Sequence, residues 1–573
     1  MSLQSQVIVN RVRLVFILIA LFSLGLIYRL YSIQILAGEE YSLKADRQYV
    51  TTSPALVDRG SIFFTTKEGE QVTAAYQQTG NIVVINPSII SDPEAVYERI
   101  NSVIPIDKEE FMKKAAKKSD PYEEILKKVD AVDAQKIVEP TIPGLQIYKQ
   151  KWRSYPSGKL ASNALGFMAY GKGDVLSGQY GLEYKYEDTL KRTNESTYTN
   201  FFVEIFSNIK KTFSEKTNWE GDVVTTIEPN VQGFLDTALE SVNKQWSSEY
   251  TGGIIMDPTT GEIVAMSNYP TFDPNNFGAE KDAKIYSNKL VEDVYEMGSI
   301  IKPLTVAAGI DAGVITAKST YNDKGFLVLN GKKISNYDGV GRGVIDIQQV
   351  LNQSLNTGVA YVVTQLGKDK FSQYMKNYGL DKKTGIDLPF EAAPLVANLN
   401  SPRDIEHATA SYGQGIAMTP VATIRALAVL ANGGKLINPH VVKKIDYRTG
   451  LFTTTPTDQF TQIIKPETSA EITRMLVRVV DEALRGGTVK LEHYSVAAKT
   501  GTAQISEGGG NGYYADRYLH SFFGYFPAYK PKFIIFLYTY YPKHVSYASE
   551  TLTETFINLT KYLINYYDIP PDR

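Results

Sequence analysis

At 573 residues the chain is too long for one ordinary domain, and two or more domains with ample core are expected. A net charge of −2, with no basic stripe interleaved with aromatics, leaves no electrostatic case for nucleic acid. The absence of cysteine excludes disulfides, thiolate metal sites and cysteine nucleophiles, so the chemistry must come from oxygen and nitrogen groups.

Residues 14–28 are uncharged and apolar, and beyond Arg29 the apolar character resumes through Leu36. With Arg29 snorkelling, the run reaches the roughly 20 residues that a bilayer requires. Arg11 and Arg13 precede it with no acid before them, so 14–36 reads as a single-pass anchor with a cytoplasmic tail (1–13) and an exported body. No small-x-small cleavage site precedes Gly38, which favours an uncleaved anchor over a cleaved signal peptide.

After the anchor, Asp58-Arg59-Gly60-Ser61-Ile62 opens a region of short apolar runs and turns, in which Ile82-Val83-Val84-Ile85 reads as a buried strand. Between 92 and 138 the pattern becomes that of charged amphipathic helices, with Glu94, Glu98, Lys113, Lys117 and Lys127 on solvated faces, and is read as a helical insertion. Turn chemistry returns at Ile142-Pro143-Gly144, and Trp219-Glu220-Gly221-Asp222 looks like a hairpin turn or linker at a domain boundary.

The second domain opens with a strand at 223–227 and a long helix through 232–246. A hairpin is expected from 251–256 and 263–267 about the turn Asp257-Pro258-Thr259-Thr260-Gly261-Glu262. Helical patterns dominate 302–436, residues 494–502, 521–526 and 533–541 read as strands, and 552–567 as a closing helix. Strands at both ends with helices between imply an α/β (α+β) domain with a central antiparallel sheet flanked by helices.

Chemistry concentrates in Ser299-Ile300-Ile301-Lys302. A serine hydroxyl needs a base within hydrogen-bond reach, and on a helix a lysine three residues on shares the serine's face. Alone, Ser-x-x-Lys is a chance pattern, as Ser207-Asn208-Ile209-Lys210 shows. Here it has company in Ser354-Leu355-Asn356 and Lys499-Thr500-Gly501-Thr502. Lys383-Thr384-Gly385 repeats the last element but lies in a polar turn, whereas Lys499 follows an apolar strand.

Acyl transfer to an amine assigns each piece a role. Ser299 is the nucleophile, and Lys302 its base once burial and a neighbouring cation, Lys499, depress its pKa. Ser354 can relay a proton between Lys302 and a leaving amine, since a hydroxyl donates and accepts; the Asn356 amide can hold a substrate carbonyl and orient Lys302. Lys499 with Thr500 and Thr502 can bind a terminal carboxylate, and Gly501 lets a substrate backbone approach. The backbone N–H groups of Ser299 and Thr502 would form an oxyanion hole. No metal or other cofactor is called for.

Ser-x-x-Lys, Ser-x-Asn and Lys-Thr-Gly are together the signature of penicillin-binding proteins and serine β-lactamases. Around them stand Arg59-Gly60, Arg153-Ser154-Tyr155-Pro156, Gly181-Leu182-Glu183, Thr226-Ile227-Glu228 with Gln232, Asp257-Pro258, Tyr412-Gly413-Gln414-Gly415, Thr419-Pro420, Asn432-Gly433-Gly434 and Pro439-His440. In this combination the chain resembles a class B penicillin-binding protein, of the monofunctional peptidoglycan D,D-transpeptidase family.

The resemblance implies an elongated, dimerisation-type pedestal over 37–220 and a transpeptidase domain over 221–573. It implies acylation of Ser299 by the D-alanyl-D-alanine end of a stem peptide with release of D-alanine, cross-linking by a neighbouring strand's amine, and covalent trapping by β-lactams. It also implies a place in the bacterial cytoplasmic membrane with the catalytic domain outside. The expected partners are a membrane glycosyltransferase of the shape, elongation, division and sporulation group and other divisome or elongasome proteins. Septal synthesis is favoured over side-wall. Two departures stand out: Ala497-Ala498 precedes Lys499 where glycine is usual, and Phe63-Phe64-Thr65-Thr66-Lys67-Glu68-Gly69 replaces the usual run after the first Arg-Gly. A membrane-anchored β-lactamase and a non-catalytic cell-wall-binding scaffold or sensor are the alternatives.

Overall fold

The structure is a computed structural model that describes residues 21–24, 58–171, 175–192, 219–508 and 512–573. Apart from the helical 21–24, the expected anchor lies outside the described residues, as does Ser207-Asn208-Ile209-Lys210. Among the described residues no helix is long and apolar enough to cross a membrane. The described residues form two compact units, the smaller containing 78–152 and the larger 58–77 with those described from 153 to 573.

In the smaller unit three short helices, Pro93–Asn101, Lys108–Ala115 and Ala131–Val138, each begin at an aspartate. The carboxylates of Asp92, Asp107 and Asp130 accept from first-turn amides that have no partner within the helix. Val96, Ile100, Phe111 and Ile137 turn inward onto Val83 and Ile85. One part of the helical reading of 92–138 is corrected: Glu123–Val129 is a strand, antiparallel to residues 81–85. Its Glu, Leu and Lys are good helix formers, but pairing with a buried apolar strand overrides that preference.

The larger unit is built on a five-stranded antiparallel sheet. In chain order its main elements are α1 (Pro229–Trp246), β1 (Tyr250–Met256), β2 (Ile263–Tyr269), α2 (Lys302–Asp311), α3 (Asn356–Leu366), α4 (Pro420–Ala431), α5 (Pro466–Arg478), β3 (Ala497–Ser506), β4 (Tyr513–Phe526), β5 (Phe533–Tyr540) and α6 (Thr553–Tyr566). The strand order is β2-β1-β5-β4-β3, which leaves β3 at an edge. Both faces are covered, because successive side chains point to opposite sides. Ile255, Phe522, Phe526, Ile535 and Leu537 pack with α1 and α6 through Leu235, Leu239, Phe556 and Leu563. Their neighbours Ile254, Phe523, Tyr525, Phe536 and Tyr538 share the core of Leu304, Leu427 and Leu476 from α2, α4 and α5.

The β1–β2 turn closes as its residues require. The Asp257 carboxylate accepts from Thr259 N (2.7 Å) and the Thr259 hydroxyl (2.6 Å), and Gly261 takes the left-handed conformation (φ +82°). The stretch 302–436 is helical in α2, α3 and α4, but a hairpin of Phe326–Leu329 with Lys332–Ser335 interrupts it. Its loop is Asn330-Gly331, both at positive φ (45° and 74°), as a two-residue turn matching strand twist demands. Trp219-Glu220-Gly221-Asp222, read as a turn or linker, instead leads into the strand Gly221–Thr225, which pairs with Ile62–Thr65 and Val442–Tyr447.

Three sequence-distant motifs of the larger unit meet in a buried ion cluster. Glu183, fully buried, accepts from Arg59 Nε (2.7 Å), Arg153 Nε (2.6 Å) and the Tyr155 hydroxyl (3.2 Å). Arg153 also donates to the Gly60 carbonyl (2.6 Å), and Arg59 pairs with Glu187 (2.7 Å).

Candidate active site

Ser299 sits in a short 3-10 turn, Gly298–Ile301, that runs directly into α2 at Lys302. At three residues per turn, positions i and i+3 eclipse, so serine and lysine share a face through this geometry rather than along one α-helix. The turn is clamped against the edge strand. Gly298 is left-handed (φ +66°), and a Cβ there would lie 2.7 Å from the Thr502 carbonyl. The Ser521 hydroxyl from β4 donates to the Met297 carbonyl (2.7 Å), and Gly298 N donates to the Gly413 carbonyl (3.2 Å).

Gly501 has a structural part that the sequence did not announce. The space its Cβ would take is filled by the Ser521 hydroxyl (2.4 Å), the Met297 carbonyl (2.8 Å) and Ile300 (3.0 Å). The missing side chain therefore lets the serine turn seat on β3.

Ser354 lies between the two lysines. Its hydroxyl is 3.2 Å from Lys302 Nζ and 3.0 Å from Lys499 Nζ. Lys302 also donates to the Ser354 carbonyl, and Lys499 to the Thr500 carbonyl (3.0 Å). Ser354 is held in the left-handed region (φ +54°), a strained conformation for a residue with a Cβ, just before α3 begins at Asn356. Asn356 departs from expectation: its amide nitrogen donates to the Ser335 carbonyl (2.9 Å) at the end of the hairpin, while Ser354 orients Lys302.

Lys302 is fully buried and Lys499 nearly so. Burial, and then the Lys499 charge, push the Lys302 amine well below its ordinary value. Burial alone brings Lys499 down to about 7. Lys302 is thereby shifted toward the neutral form that can take a proton, while Lys499, at about 7, would have its charge restored by an arriving carboxylate. Thr500 and Thr502 are partly exposed on β3, and the Thr502 hydroxyl accepts from Ala548 N (3.2 Å), leaving its own proton to donate.

Sequence reading missed a second set of residues beneath this site. Asp323, nearly fully buried, accepts from the Thr357 hydroxyl (2.8 Å), Gly325 N (2.9 Å) and the Asn336 amide (3.0 Å). Asn336 in turn accepts from Thr357 N (3.2 Å). This network ties the hairpin bearing Ser335 to the first turn of α3, and so positions Asn356. The Asn330-Gly331 pair was the visible signal for it. The second Lys-Thr-Gly is a turn about another group: the Thr384 hydroxyl (2.8 Å) and Gly385 N (2.9 Å) donate to the buried Glu391 carboxylate.

Comparison with known proteins agrees with this geometry. Residues 251–560 match the family of the penicillin-binding protein transpeptidase domain, and residues 55–226 that of the penicillin-binding protein dimerisation domain. The chain belongs to the penicillin-binding protein transpeptidase family, in its class B arrangement, and is an enzyme of the serine acyl-transferase type. It is 29% identical over 548 residues to stage V sporulation protein D of Bacillus subtilis, covering 93% of this chain and 82% of that one. It is 25% identical over 562 residues to the peptidoglycan D,D-transpeptidase MrdA of Acinetobacter baumannii, covering 88% and 80%. The crystal structure of penicillin-binding protein 2X from Streptococcus thermophilus superposes with a TM-score of 0.72 at 20% identity, over 90% of this chain and 80% of that one, which shows the shared fold.

Proposed function

We propose that the protein is a peptidoglycan D,D-transpeptidase working through an acyl-enzyme on Ser299. The observation that carries this reading is one hydroxyl, Ser354, within 3.2 Å of two buried amines beside the clamped serine turn. Neutral Lys302 takes the Ser299 proton as the serine oxygen attacks the carbonyl between the two D-alanines. The C–N bond breaks, and the proton passes through Ser354 to the departing D-alanine amine. Lys499 with the Thr500 and Thr502 hydroxyls holds the terminal carboxylate, the Asn356 amide proton not taken by Ser335 holds a peptide carbonyl, and the Ser299 and Thr502 N–H groups receive the developing oxyanion. An amine from a second strand then resolves the ester into the cross-link and frees Ser299.

β-Lactams trap the same serine, in keeping with the family's description. The apolar run at 14–36 anchors the chain in the bacterial cytoplasmic membrane with the tail 1–13 inside. Residues 37–220 act as the pedestal and 221–573 as the catalytic domain, which works outside, in septal synthesis. The partner there is a membrane glycosyltransferase of the shape, elongation, division and sporulation group.

The test is release of D-alanine from a pentapeptide donor ending in D-alanyl-D-alanine. Wild type is expected to release it with cross-linked product, and Ser299→Ala neither, with the melting temperature retained. Release by Ser299→Ala at the wild-type rate would refute the assignment.

A further inference from the structure

Beside the nucleophile turn the larger unit holds a cleft of about 890 Å³. Gln504 lines it, two residues beyond Thr502 and so on the same face of β3, as does Gly415 from the loop whose Gly413 receives Gly298. The cleft thus extends along the strand that carries Thr500 and Thr502. Glu296, three residues before Ser299, is in its wall. One Glu296 oxygen accepts from the Tyr513 hydroxyl (3.1 Å); the other is buried and lacks a hydrogen bond of ordinary geometry among the described residues, with the Gly415 backbone N–H the other donor that acts on this carboxylate. A buried acceptor left open is costly until a donor reaches it. The cleft also collects Glu249, Glu292 and Asp293 against Lys284 and Lys289, so with Glu296 it has four carboxylates to two amines.

The transpeptidase reading leaves one reactant without a receptor. The attacking amine arrives as an ammonium, and the groups around Ser299 are two amines and hydroxyls, none of which offers a cation a negative charge. Resting on that reading, we propose that this cleft seats the acceptor amine of the second strand, with the open oxygen of Glu296 binding its ammonium and taking one proton. The free amine then forms the C–N bond to the Ser299 ester carbon. Its second proton passes through Ser354 and then Lys302 to the Ser299 oxygen as the C–O bond breaks. Glu296 returns the first proton to water through the mouth of the cleft. Burial raises the Glu296 carboxyl to about 7, which suits a group that alternates between charged and neutral. The titratable groups facing it are Tyr513 and Tyr412, with Asp293 and its ion-pair partner Lys289 in the same cleft (3.2 Å).

The experiment uses the full chain, an acyl-D-alanyl thioester donor and D-alanine as acceptor, and reads the ratio of aminolysis to hydrolysis from one acyl-enzyme. Glu296→Gln is expected to lower that ratio at least tenfold, and Glu296→Asp to recover part of it. Ala417→Phe, which narrows the cleft and leaves the Glu296 carboxylate in place, is expected to raise the KM for D-alanine severalfold. An unchanged ratio in Glu296→Gln overturns the proposal, as does a loss confined to hydrolysis, which would make Glu296 a base for water. Should Glu296→Gln fail to acylate, an unchanged acceptor KM in Ala417→Phe overturns it instead. Failure of the underlying reading would look different: no acyl-enzyme would form in the wild type.

Discussion

Replacing Lys302 with methionine, which keeps most of the volume and removes the amine, is expected to slow acylation of Ser299 by about 100- to 10,000-fold. The loss should fall on kcat and kcat/KM together, since the amine acts on the proton in flight and not on the bound peptide. The fold should survive, because the variant removes a buried amine whose desolvation opposes folding. A melting temperature that holds or rises would separate lost chemistry from lost structure. The pH profile follows from the same pair of amines. Acylation needs neutral Lys302, so the rate rises with pH, and burial together with Lys499 completes that rise well below the ordinary lysine range. A carboxylate-bearing donor needs protonated Lys499, so kcat/KM falls again above about 7. A bell-shaped profile measured by stopped-flow acylation is expected in wild type, with its acid limb gone in Lys302→Met. A loss under tenfold would remove Lys302 from the role of base.

Glu183→Ala is expected to destabilise the larger unit by about 3–5 kcal/mol, the cost typical of breaking a buried charge pair from one side. It strands two buried guanidiniums, and Arg153 already has one nitrogen with no hydrogen-bond partner among the described residues. Glu183→Gln, which keeps the shape and loses the charge, should fall between. The pH dependence has a definite sign. Burial pushes the Glu183 carboxyl up, but Arg153 and Arg59 outweigh it and hold it below the ordinary 4.5. The cluster's contribution is therefore complete above that value and is lost as pH falls through the depressed one. Thermal melts between pH 3 and about 7 should show this acid-side loss in wild type and a flatter profile in Glu183→Ala. A change within about 1 kcal/mol would mean that the three motifs meet without supporting the fold.

The sheet was legible because its inner strands are buried on both faces, so 251–256 and 533–541 read as near-continuous apolar runs, and Asp257-Pro258-Thr259-Thr260-Gly261 is explicit turn chemistry. The meeting of Lys302, Ser354 and Lys499 beside the Ser299 turn was legible because acyl transfer asks for few residue types at tight spacing. The residues beneath them were not, since Asp323, Asn336 and Thr357 carry no chemistry and acquire meaning only when the hairpin folds onto α3. Asn330-Gly331 announced that hairpin, but the helical periodicity on either side obscured it. Gly501 was read toward the substrate because the chain does not reveal which face of β3 the serine turn covers. Glu123–Val129 went astray for a related reason: its composition favours a helix, and only the neighbouring strand decides otherwise. Arg59, Arg153 and Glu183 were visible as motifs, while their meeting place was not.

Incubating the whole protein with a fluorescent penicillin, digesting it and sequencing the labelled peptide tests the central claim most directly. A single adduct on Ser299, formed once per chain and turned over slowly, is the expected result. A label on another residue, or none under conditions where the protein is folded, would contradict the account.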